Sequence, residues 1–81
     1  MEQAELSSIL NRIVTRPGLL GGRPTVRGLR FSVSNVLELL ASGMSAQQII
    51  EEHPVLEIQD IQACLLYASL KMNNTRIVHA A

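Results

Sequence analysis

Aromatic side chains are almost missing from this 81-residue sequence, which has one Phe, one Tyr and no Trp. A core built from it must be aliphatic, made of Leu, Ile, Val, Ala and Met. Cysteine is nearly missing too. Cys64 stands alone, so no internal disulfide can form, and a thiolate metal site would want for ligands. His53 and His79 lie far apart and show no ligand spacing. No apolar run approaches the roughly 18 residues that a membrane span requires. The first ten residues, MEQAELSSIL, carry two glutamates and no basic cluster, which predicts no signal peptide. These absences exclude disulfide-stapled, metal-bound and membrane classes, and predict a cytoplasmic protein without a cofactor.

What is present argues for a packed globule. The chain is 47% hydrophobic with zero formal net charge, whereas disordered chains are apolar-poor and highly charged. Its length fits one domain, 1–81, with a thin stability margin that association commonly relieves. No internal repeat or low-complexity segment is evident.

The zero net charge hides an asymmetry. Residues 12–30 hold Arg12, Arg16, Arg23, Arg27 and Arg30 and no acid. Residues 31–70 hold Glu38, Glu51, Glu52, Glu57 and Asp60 and no Lys or Arg. Such a dipole speaks to partners or self-association rather than to fold.

Local signals divide the chain into an N-terminal arm (1–31), a trihelical core (32–74) and a tail (75–81). Residues 1–11 offer Ala4, Ile9 and Leu10 to a short helix, and Ile13-Val14 suits a short strand. Residues 16–30, RPGLLGGRPTVRGLR, contain four Gly and two Pro, which excludes a helix. Within them, Thr25–Arg27 and Leu29–Phe31 read as a short β-excursion or small hairpin around Gly28. The first core helix starts at Ser32–Asn35, with Ser34 or Asn35 as cap and Val33, Val36, Leu37 and Leu40 on one face. Gly43 suits the left-handed residue that ends it. Ser45 and Gln48 form a capping box for a second helix, Ala46 to about Glu52, which Pro54 ends. A third runs from about Ile58 to Met72, closed by Asn73-Asn74. The fold class is therefore mainly α: a three-helix, helix-turn-helix-like core with a short N-terminal β-containing arm.

The third core helix carries surplus apolar surface. Eight of the ten residues from Ile61 to Leu70 are apolar. Ile58, Ile61, Leu65, Ala68 and Met72 form a stripe at a/d-like spacing, and Leu66, Tyr67 and Leu70 extend it around the helix. Two readings stand: a central helix sandwiched by the rest of the chain, or a symmetric homodimer contact through Leu66, Tyr67 and Leu70.

A helix-turn-helix reads bases with Arg, Lys, Asn or Gln on its last helix. Here that helix offers Gln59, Asp60 and Gln62, with Lys71 only at its end. Phosphates dominate DNA affinity, so this face is electrostatically poor for DNA. The arm is the better candidate, with Arg16, Arg23, Arg27 and Arg30 on a flexible segment suited to phosphates or to an acidic partner protein. Ordinary surface ion pairs, worth about 0–1 kcal/mol each, are the plain alternative. Gly21-Gly22 is too sparse for a phosphate-binding loop. Catalysis has little support: Cys64 sits in an apolar helix, His53 reads as a helix-end residue, and Glu51-Glu52 as a solvated face.

The run from Arg16 to Ser69 resembles the small bacterial proteins called domain of unknown function 433. The resemblance rests on Pro17, Gly22, Pro24, Gly28, Arg30, Val33, Gly43, Ser45, Ile49, Pro54, Ala63, Leu65, Tyr67 and Ala68. It implies a homeodomain-like trihelical fold and an antitoxin-like role, with a PIN-like nuclease toxin as partner and DNA autoregulation. Arg16 stands where an acid is usual, Leu29 where Thr is, His53 where an aromatic is, and Glu57 where a hydroxyl cap is. The alternative to an antitoxin is a small homo-oligomeric assembly protein with no nucleic-acid role.

Overall fold

The computed structural model describes residues 3–74, and the tail expected at 75–81 lies outside the described residues. Among these residues four α-helices, one 3-10 turn (Leu20–Gly22, between the strands) and a two-stranded sheet follow in the order α1 (Gln3–Leu10), β1 (Ile13–Val14), β2 (Thr25–Val26), α2 (Val33–Ala41), α3 (Ala46–Glu52) and α4 (Ile58–Asn74). The mainly helical class with a small sheet in the arm is thus as the sequence indicates.

Each core helix is stopped and started by local chemistry. Ser32 caps α2: its hydroxyl accepts from the Asn35 N–H at 3.0 Å, and the Asn35 side chain returns to the Ser32 backbone. The cap is therefore Ser32, not the expected Ser34 or Asn35, because Ser32 alone has extended backbone three residues before a side chain that can reciprocate. Gly43 ends α2 with φ +101°, the Gly43 N–H donating to Leu40 O and the Met44 N–H to Leu39 O. This crossed pair is the Schellman closure that glycine permits. Ser45 and Gln48 form the expected capping box on α3.

The arm differs from its sequence reading in one respect. A turn from Val26 to Leu29 exists, with the Leu29 N–H on Val26 O at 2.8 Å, but Leu29–Phe31 is not a strand. β2 pairs instead with β1, antiparallel, with Ile13 opposite Val26 and Val14 opposite Thr25. Only an isolated bridge joins Thr25 to Ser32. Arg27 and Gly28 in the turn both have positive φ, +50° and +74°. Two left-handed residues in succession match the twist of a tight hairpin bend, and beyond it the Val26 N–H donates to Phe31 O at 2.9 Å without a second strand forming.

The core is aliphatic: Val26, Val33, Val36, Ile49, Leu56, Ile61 and Cys64 are buried together. The two aromatics, Phe31 and Tyr67, sit half-buried at its edge. Helix α4 is the central element and packs against α1, α2, α3 and β1. The stripe proposed on α4 splits accordingly. Ile61 points inward, whereas Ile58, Leu65 and Met72 are 43%, 50% and 57% exposed. Short loops force α2 and α3 onto one side of α4, so its far side has nothing from the described chain to cover it.

Candidate functional site

Two arginines of the arm are committed to one buried carboxylate. Antiparallel pairing places Arg12 just before β1 beside Arg27 just after β2, and the Arg27 N–H donates to Arg12 O at 2.6 Å. Both guanidinium groups then reach Asp60 in the first turn of α4. Arg12 donates to Oδ1 at 2.9 Å, and Arg27 donates from Nε to Oδ1 at 3.0 Å and from Nη2 to Oδ2 at 2.8 Å. The Glu57 N–H fills Oδ2 at 2.8 Å, so Asp60 also caps the start of its own helix. Arg12 further pairs with Glu57 at 2.7 Å, and Arg27 donates to Val55 O at 2.7 Å.

The Asp60 side chain is wholly buried, while those of Arg12 and Arg27 are 27% and 35% exposed. Burial pushes the Asp60 carboxyl up. The hydrogen bonds from Arg27, the Glu57 N–H and Arg12 outweigh it and hold the group below the usual carboxylate value. Asp60 is therefore an anion at neutral pH, ligated from three sides. The cluster pins the arm to α4, so the Gly/Pro segment expected to be flexible is held at both strands.

The remaining arm arginines are different. Arg16, Arg23 and Arg30 are exposed, and among the described residues none has a hydrogen-bond or ion-pair partner for its guanidinium. Arg16 lies across Gly28, where a Cβ would stand 3.1 Å from its guanidinium carbon. Of the four arginines singled out by sequence, Arg27 is thus engaged within the chain, and the other three face solvent.

On α4, Leu66 and Tyr67 are half-buried and Tyr67 packs against the core, while Leu70 is 41% exposed. Lys71 sits 5.4 Å over the Tyr67 ring. The most exposed apolar positions are Ile58, Leu65 and Met72, with Val55 just ahead of the helix. Gln59 and Gln62 are exposed as well.

An open groove of about 350 Å³ lies between α2 and the end of α3, lined by Phe31, Asn35, Glu38, Leu39, Ser42 and His53. His53 meets Phe31 edge-on at 4.9 Å. Cys64 is buried, and burial first, then the nearby Asp60 charge, push its thiol up to about 12. A thiol so held is not a nucleophile at neutral pH. No group of His, Cys, Asp and Glu among the described residues could hold a metal ion.

Asp60 and Arg12 are the site residues that sequence reading misses. The signal was present in the opposed charge blocks, but the blocks do not say which acid meets which arginine. That depends on the β1–β2 register, which two-residue strands scarcely encode.

Comparison with known proteins matches residues 13–68 to the family described as Protein of unknown function (DUF433). The chain is also 33% identical over 64 residues to "Uncharacterized protein y4eO" of Sinorhizobium fredii (strain NBRC 101917 / NGR234). That match covers 79% of this chain and 29% of the relative, so the chain spans less than a third of that protein's length. No solved structure matches.

Proposed function

The chain belongs to the DUF433 family of proteins of unknown function, and from that premise we propose that it is a non-enzymatic, antitoxin-like interaction module that acts through its arginine arm. The observation that carries this reading is the division of the arm arginines. Arg12 and Arg27 anchor the arm on Asp60, and the anchored arm presents Arg16, Arg23 and Arg30 to solvent. A held loop loses less conformational freedom on binding than a free one, so its cations are spent on the partner rather than on ordering. Guanidinium groups recognise carboxylates and phosphates through paired N–H donors. An acidic metal site in a PIN-like nuclease is such a partner, and the arm would compete there with the RNA phosphates. Operator DNA phosphates are the other surface of that chemistry.

The test is the triple variant Arg16→Ala, Arg23→Ala, Arg30→Ala, assayed for inhibition of a PIN-like nuclease. Inhibition is expected to disappear while the fold survives, because all three side chains are exposed. Inhibition equal to wild type would remove the arm from the function. Titration with duplex DNA separates the DNA arm of the proposal: affinity that falls steeply with salt supports phosphate contacts. A second reading, an assembly protein with no nucleic-acid role, draws on the apolar outer face of α4. It would be favoured by no DNA binding even at low salt.

A further inference from the structure

We propose that two copies of the chain pair through the outer face of α4, antiparallel, with the twofold axis at Leu65. The proposal deepens the interaction-module reading and rests on it. Ile58, Gln62, Leu65, Ser69 and Met72 recur at alternating steps of four and three, so they share one strip of the helix. That strip faces away from the buried residues Asp60, Ala63 and Cys64, with buried Ile61 at its edge, and its three apolar members are 43–57% exposed.

The spacing is self-complementary. Ile58 and Met72 stand equally far from Leu65 on either side, about 10 Å each along the axis. A twofold rotation at Leu65 therefore lays Ile58 on the partner's Met72, Met72 on the partner's Ile58, and Leu65 on itself, as an isologous contact demands. Gln62 and Ser69 occupy the alternate layers, where polar residues lower stability but fix register.

Charge selects the antiparallel direction. The N-terminal end of α4 follows Glu51, Glu52 and Glu57, and its last turn carries Lys71. A parallel pair would gather the acids of both copies at one end. The antiparallel pair brings the last turn of each α4 toward the partner's acidic end and opposes the two helix dipoles. One helix face is smaller than a standard interface of about 800 Å² per partner, so self-association in the micromolar range or weaker is expected.

Sedimentation equilibrium of the full chain, up to about 0.5 mM to exceed such weak constants, tests this with four variants. Wild type should dimerise. Leu65→Glu, which sets two carboxylates against each other on the axis, should weaken dimerisation roughly a hundredfold or more. Ile58→Glu and Met72→Lys should each weaken it, and the double variant Ile58→Glu/Met72→Lys should recover it. Only the antiparallel register sets the new Glu against the partner's new Lys; a parallel pair would juxtapose like charges. Circular dichroism checks that each variant folds, which the exposure of all three sites favours. A monomeric wild type overturns the pairing and leaves this face to a different protein. A dimeric Leu65→Glu overturns the surface, and a double variant no better than the singles overturns the register. None of these variants touches Arg16, Arg23 or Arg30, so failure here is distinct from failure of the arm reading.

Discussion

Arg12 and Arg27 differ from Arg16, Arg23 and Arg30 in what surrounds them, not in kind. All five lie in one acid-free stretch and carry the same charge. The first two converge on the buried carboxylate of Asp60, and the last three face water. The difference teaches that a basic patch counted along a sequence overstates what is available to a partner. Part of the charge block holds the arm, and only the remainder is free to bind. The same division predicts different effects on stability, since loss of an anchoring arginine should destabilise the fold and loss of a free one should not.

The largest expected effect comes from removing the anchor itself. Asp60→Ala leaves two guanidinium groups without their shared partner and strips a cap from α4. Breaking a buried ion pair by removing one member costs about 3–5 kcal/mol, discounted here to about 2–4 because both arginines are part-exposed. Urea denaturation should show the loss, and a change below about 0.5 kcal/mol, the size of an ordinary surface substitution, would mean that the cluster is decorative.

Acid should reach the same anchor from the other side. The folded Asp60 pKa lies below its unfolded value, so the unfolded state takes up its proton first as the pH falls. Its stabilisation is complete above the unfolded value of 3.8 and is lost as pH falls through the lower folded value. Wild type and Asp60→Asn should therefore differ in melting temperature near neutrality and converge in strong acid. A gap that persists unchanged in acid would assign the effect to shape rather than charge.

Arginine substitutions sharpen the comparison directly. Arg27→Ala leaves Asp60 with Arg12 and one N–H and leaves the Val55 carbonyl without its donor, at a cost of about 1–2 kcal/mol. Gly28→Ala, beside it, forces a Cβ into a left-handed residue at φ +74° against the Arg16 guanidinium, at about 1–2 kcal/mol. Arg23→Ala and Arg30→Ala should stay within about 0.5 kcal/mol in the same denaturation experiment. Equal losses at Arg27 and Arg23 would erase the distinction between the two sets.

Much of the fold was legible. The Ser45–Gln48 box, the Gly43 stop and the extent of α3 follow from side chains bonding to backbone within four residues, so they need no tertiary context. The β1 strand was signalled by its β-branched pair. The choice of Ser32 as cap and of β1 as the partner of β2 was not legible. Ser32, Ser34 and Asn35 all suit a cap, and two-residue strands carry almost no register information. The site was half legible: the arginines stood out by number, and nothing marked Asp60 among the acids as their partner.

The sequence by itself determined an aliphatic, mainly helical fold with an arginine-bearing arm, because composition, periodicity and capping act locally. Only the tertiary structure decided which arginines that arm keeps for itself. A buried carboxylate attracts whichever cations the strand register brings within hydrogen-bond reach, and that register is set by packing across the whole chain. The inner and outer faces of α4 were settled in the same way. Its apolar residues surround much of the helix, and only the positions of α1, α2 and α3 determine that Ile61 is covered and Leu65 is not.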